Sequence, residues 1–153
     1  MKALELKIPP VLLLLIFGVL MWLIDDLLPQ YSQHWPWHQW AAWSLFLLGV
    51  FLIVAGFISF RRAHTTVDPT RPEKASLVVK TGIYRMSRNP MYLGFLMMLL
   101  AFMFKLSNPV TLLALPLFVL YMNQFQIKPE EKALQKRFGN DYIEFYNNVR
   151  RWI

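Results

Sequence analysis

Apolar residues in this chain come in long runs rather than in alternation. Residues 8–28 open on Pro9 and Pro10 and are polar only at Asp25 and Asp26, about the length that crosses a bilayer. No small-x-small cleavage pattern follows, so the run is read as a membrane helix rather than a cleaved leader. Trp35, Trp37, Trp40 and Trp43 form an aromatic belt of the interfacial kind, and residues 40–60 carry no charge until Arg61 and Arg62. A third run covers 90–106, with its uninterrupted apolar part at 91–104, and a fourth covers 109–127. So short a connection, Lys105 to Asn108, predicts an antiparallel hairpin. Pro116 predicts a kink in the fourth helix, and Asn123, Gln124 and Gln126 place amides at its end, facing protein or a polar cavity. After Pro129, Leu134, Phe138, Tyr142, Phe145, Tyr146 and Val149 recur at helical spacing, broken by Gly139. Two short amphipathic helices are expected there, on the membrane surface or capping the bundle. The pattern predicts an all-α polytopic membrane protein: one domain, 1–153, with four transmembrane helices and polar segments at 61–89 and 128–153.

Composition agrees with that class: 56% of the chain is hydrophobic and 16% aromatic. Cysteine is absent, which excludes disulfides, a thiolate nucleophile and a Cys-ligated metal. His34, His38 and His64 are too scattered for a metal site, and Pro36 interrupts the His34–His38 spacing, so no metal is expected. The net charge of +7 raises nucleic acid as a partner, but its placement argues for lipid. Fifteen of the sixteen basic residues fall on one side if four helices cross, with Lys105, Asp25 and Asp26 on the other. The bias predicts cytosolic termini, as expected in a bacterial inner membrane, and a basic face against anionic headgroups.

Chemistry concentrates at the seam where the basic segment becomes the third helix, residues 82–94. Asn89 suits an N-cap and Pro90 the first helical position, so free N–H groups and the helix dipole favour an anion there. Arg85 and Arg88 add cationic donors. In a hairpin, Arg88, Asn89 and Tyr92 lie at the depth of Gln126, Glu130 and Glu131. That mouth offers arginines for a carboxylate, acids for an amine or ribose diol, and Tyr84, Tyr92 and Phe95 as aromatic faces for a cationic centre. Each piece also has a plainer role. Acids suit the first turn after Pro129, Tyr92 an interface, Gly94 a helix contact, and the two arginines lipid headgroups.

The block Gly82-x-Tyr84-x-x-x-Arg88-Asn89-Pro90-Met91-Tyr92-x-Gly94, with Pro129-Glu130-Glu131, Phe138-Gly139-x-x-Tyr142-x-x-Phe145 and the closing Val149-Arg150-Arg151-Trp152, resembles the integral membrane methyltransferases of the isoprenylcysteine carboxyl methyltransferase and phospholipid methyltransferase group. The resemblance covers roughly residues 61–153. It implies S-adenosylmethionine as cofactor, held by Arg88, Asn89, Tyr92, Gly94, Glu130 and Glu131. The prenylcysteine enzymes usually carry His at the position of Asn89, and extra helices before the shared core.

Methyl transfer is an in-line displacement that needs alignment and exclusion of water. A carboxylate acceptor needs only an arginine to place it, for which Arg85, Arg150 and Arg151 are candidates; an amine needs a base, for which Glu130, Glu131 or Tyr84 stand nearby. The apolar stretch 93–119 suggests a lipophilic acceptor from the bilayer. The rivals are a nicotinamide-dependent membrane reductase, because sterol reductases use a related Arg-His-Pro-x-Tyr-x-Gly block, and a non-catalytic membrane scaffold.

Overall fold

The computed structural model describes residues 5–33, 35–64 and 76–153. Lys2, Arg71 and Lys74, counted in the charge bias, and His34, weighed as a metal ligand, lie outside the described residues. Among those described, all regular structure is helical, with no strand.

Helix α1, Pro10–Leu27, begins with Pro9 at the cap and Pro10 at the first position, where a missing N–H costs nothing. It buries Leu13, Phe17 and Met21 and turns Val11, Leu15, Val19 and Trp22 outward. Helix α2, His38–Arg62, buries a stripe that is mostly small: Ala42, Gly49, Leu52, Gly56 and Ser59. That stripe receives α3, Pro90–Leu106, whose main packing partner is α2. A Cβ on Gly94 would stand 2.7 Å from the Gly49 carbonyl oxygen, and one on Gly49 2.8 Å from that of Gly94. Two backbones touch at this crossing, an approach that only glycine permits.

The stretches Pro10–Leu27, His38–Arg62 and Pro109–Phe138 are long and apolar enough to cross a membrane. With 17 residues α3 is at the lower end of spanning length.

Beyond α3 the chain turns at Ser107, in the left-handed conformation. Asn108 is fully buried; its amide donates to Asp25 Oδ1 at 3.0 Å and to the Leu28 carbonyl at 3.1 Å, and its own oxygen accepts from the Val110 N–H at 3.1 Å. These bonds tie the far end of α1 to the loop after α3. A 3-10 turn, Pro109–Leu113, then leads through α4, Ala114–Tyr121, a π-helical turn, Met122–Ile127, and α5, Lys128–Phe138, into α6, Asn140–Asn148.

The fourth segment differs from expectation in two ways. It does not stop at residue 127 but continues through Pro129 to Phe138. Pro129 has no N–H to offer the Phe125 carbonyl; that oxygen instead accepts from the Leu6 N–H at 3.0 Å, and the helix widens to π geometry alongside. Pro116 stands in the first turn of α4, where its missing N–H falls at the junction with the 3-10 turn. The departure from α geometry deeper in the helix is the π turn instead.

Gly139 separates α5 from α6 as expected, with φ 56° and ψ −127°, a combination that belongs to glycine. The main core joins α1, α3, α4 and the π turn through Phe17, Leu99, Phe118 and Met122. A smaller one joins Val79 and Tyr84 to Tyr142 and Phe145. Of the two placements open for the C-terminal helices, α6 therefore takes the capping one, over the end of the bundle where α3 begins.

Candidate functional site

Under that cap lies a cavity of about 340 Å³, within the range of small-molecule sites. Its apolar wall includes Pro9, Pro10, Phe60, Met91 and Phe95, its roof Val78, Val79, Tyr142 and Phe145, and its polar lining Tyr84, Arg88, Asn89, Tyr92, Glu130 and Glu131. Residues at the start of α3 and beyond the π turn thus meet.

Tyr92 donates to Glu130 Oε2 at 2.9 Å and accepts from Gln126 Nε2 at 3.5 Å. Glu131 is the hub of an ion triad. Arg88 Nη2 lies 3.0 Å from its Oε1, and Arg151 forks onto it with Nε to Oε1 at 3.0 Å and Nη2 to Oε2 at 2.7 Å. The Arg88 and Glu131 side chains are only 7% and 11% exposed, so their pairing works in a poorly screened setting. Arg88 also donates from Nη1 to the Tyr146 carbonyl at 2.6 Å and sits 3.8 Å over the Tyr146 ring. Its remaining donor, Nε, is buried with no hydrogen-bond partner among the described residues. Arg88 as a whole lines the cavity, and a guanidinium there suits an anionic ligand.

Asn89 occupies the cap position of α3, but its side chain makes no capping bond. Its amide donates to the Arg151 carbonyl at 3.0 Å, and the Asn89 N–H is met by Ser87 Oγ at 3.1 Å. The Arg88 N–H donates to the Arg150 carbonyl at 2.9 Å. The C-terminal peptide is thereby laced to the seam, and the expected free helix N-terminus is partly occupied by the protein itself. Pro90 holds the first helical position, buried.

Other candidates fall elsewhere. Gly94 does not line the cavity; it serves the contact with α2, the plainer of its two roles. Gln126 is buried outside the lining and donates to the Tyr92 hydroxyl. Arg85 and Arg150 are exposed and outside the lining, and Arg151 is committed to Glu131, which holds it more firmly in its charged form. Burial pushes the Tyr84 and Tyr142 phenols up, with a nearby glutamate adding to each. Tyr84 therefore keeps its proton at neutral pH and is unsuited to act as a base. Lys80 pairs with Asp141, fastening the Val78–Val79 strap to α6.

Tyr142 and Phe145, which the sequence marks by helical periodicity and by the Phe138–Phe145 family block but does not place among the cofactor residues, join the lining. Val78 and Val79 carried no such mark, being an apolar pair in a polar segment.

The phospholipid methyltransferase family profile matches residues 37–141. The chain is 30% identical over 121 residues to the protein-S-isoprenylcysteine O-methyltransferase B of Arabidopsis thaliana, covering 79% of this chain and 61% of that protein. It is 34% identical over 113 residues to the protein-S-isoprenylcysteine O-methyltransferase of Saccharomyces cerevisiae, covering 67% and 46%. It is 43% identical over 63 residues to an uncharacterized protein of Haemophilus influenzae, covering 41% of this chain and all of that one. The chain thus spans about half to three fifths of the length of the two named relatives. No solved structure matches.

Proposed function

Because the chain belongs to the phospholipid methyltransferase family, we propose that it transfers a methyl group from S-adenosylmethionine to a lipophilic acceptor at the cytosolic face of a membrane. The observation that carries this reading is the cavity itself. One space is lined by the Arg88 guanidinium, the Tyr92–Glu130 pair and aromatic rings from three parts of the chain. A zwitterionic nucleoside has a carboxylate for the first, hydroxyl or ammonium protons for Glu130, and a cationic sulfur for the rings. When bound, S-adenosylmethionine supplies an electrophilic methyl group.

The chain's own part is then binding and alignment. Glu131 fixes the Arg88 fork, Tyr92 orients the Glu130 carboxylate, and the roof of α6 with the Val78–Val79 strap excludes water. The relatives' names specify O-methylation of an isoprenylcysteine. A carboxylate acceptor of that kind is already nucleophilic and needs no base. Entry from the bilayer is supported by the apolar wall at Pro9, Pro10 and Val11, the last of which is 56% exposed.

Calorimetry in detergent tests the cofactor. S-adenosylhomocysteine should bind and NADPH should not, and Glu130→Gln should weaken S-adenosylhomocysteine by about 1.5 to 3 kcal/mol, the worth of a charge-assisted bond. Binding of NADPH alone would move the chain to the reductase reading, and binding of neither to the scaffold reading.

For the membrane arrangement we propose four crossings with α3 and α4 as a hairpin, which puts both termini and the cavity on the cytosolic side. Reporter fusions after Ile153 and within residues 65–80 should report cytosol, and one at Gln33 the opposite side. An external C-terminus would overturn this topology.

A further inference from the structure

A second groove lies between α1 and the fourth helical segment, outside the cofactor cavity. Phe17, Leu117 and Leu120 form its apolar walls, and Lys128 and Arg151 stand at its polar end. Leu117 and Leu120 are 54% and 64% exposed. In a chain of this class those side chains face lipid. The distance along the helix from Lys128 back to Leu117 is about 16 Å at 1.5 Å per residue, roughly half of a ~30 Å hydrocarbon core. The groove is therefore one leaflet deep, with its cations at the headgroup end.

The charges there are not cancelled. Lys128 donates to a neutral partner, Gln124 Oε1, at 3.1 Å. Arg151 shares the single carboxylate of Glu131 with Arg88, and its fork uses Nε and Nη2, leaving Nη1 outside the pair. Tyr121 also lines the groove. An apolar trough ending in two cations asks for an amphiphile with an anionic head.

We propose that this groove seats one anionic phospholipid, with its phosphate against Lys128 and Arg151 and an acyl chain along Phe17, Leu117 and Leu120. Charge complementarity selects the lipid class. A zwitterionic lipid brings its own cation to a site that already has an excess of them, whereas a phosphatidylglycerol brings one net negative charge. The seat lies behind the Glu131 hub rather than in the cofactor cavity, so it does not depend on the methyl-donor reading.

Native mass spectrometry of the full chain in detergent, titrated in parallel with phosphatidylglycerol and phosphatidylcholine of identical acyl chains, reads this directly. One phosphatidylglycerol should be retained at least fivefold more tightly than phosphatidylcholine. Lys128→Gln should abolish that preference and Lys128→Arg should keep it. Lys132→Gln, one helical turn further along α5 and not part of the groove, should leave it unchanged. Equal retention of the two lipids by the unaltered chain would overturn the proposal. So would an equal loss of preference in Lys128→Gln and Lys132→Gln, because general surface charge would then account for it. Neither readout involves S-adenosylmethionine, so failure here leaves the cofactor experiment standing, and failure there leaves this one.

Discussion

Glu131→Ala is expected to be the most damaging single substitution in the polar end of the molecule. It removes the one carboxylate that Arg88 and Arg151 share and leaves a guanidinium that is 7% exposed without its counter-charge. Breaking a buried ion pair by deleting one partner costs about 3 to 5 kcal/mol, because the remaining charge is neither paired nor hydrated. Two measurements should move together. The melting temperature in detergent should fall, and affinity for S-adenosylhomocysteine should drop at least tenfold as Arg88 loses the group that orients it. Removing the second cation should then help: Glu131→Gln with Arg151→Gln should be more stable than Glu131→Gln alone, since fewer uncompensated charges remain. If Glu131→Gln melts with the parent chain and the double variant melts lower, the triad is not what holds this end together.

The same hub shows how far the sequence could be read. Long apolar runs set the helices to within a few residues at most ends, because burial in lipid needs length more than detail. Pro90 opened a helix where it was expected to. The meeting of Arg88 and Tyr92 with Gln126, Glu130 and Glu131 followed from a short connection and a common depth. What individual groups do once they meet depends on contacts that no periodicity encodes.

The Asn89 amide goes to the Arg151 carbonyl, 62 residues away, because the C-terminal peptide runs beside the seam. Glu131 is consumed by two arginines instead of standing free for a ligand. Pro129 leaves the Phe125 carbonyl without its helical donor, but Leu6 satisfies that oxygen and the helix passes through as a π turn instead of ending. Most of the cofactor residues that the family blocks imply line the cavity, whereas Gly94 lies at the contact between α2 and α3.

That contact gives Gly94 an expected phenotype of its own. A Cβ there would stand 2.7 Å from the Gly49 carbonyl oxygen and 2.7 Å from Ile53 Cγ1. The side chain can turn away, but the backbone oxygen yields only if α2 and α3 separate. Overpacking of this kind costs about 1 to 3 kcal/mol, and the Gly49–Gly94 contact is reciprocal, so Gly94→Ala and Gly49→Ala should lower the melting temperature by similar amounts. Leucine at either position should prevent assembly of the pair. Gly18 supplies the contrast. A Cβ on it meets nothing within 4 Å, and alanine is the better helix former, so Gly18→Ala should be neutral or stabilising by up to about 1 kcal/mol. S-adenosylhomocysteine affinity separates the two roles of Gly94. A packing residue loses stability, and loses affinity only as the helices shift, so Gly49→Ala, which is also outside the cavity, should match it in both. If Gly94→Ala kept the parent's melting temperature and lost binding while Gly49→Ala kept both, Gly94 would return to the cofactor site.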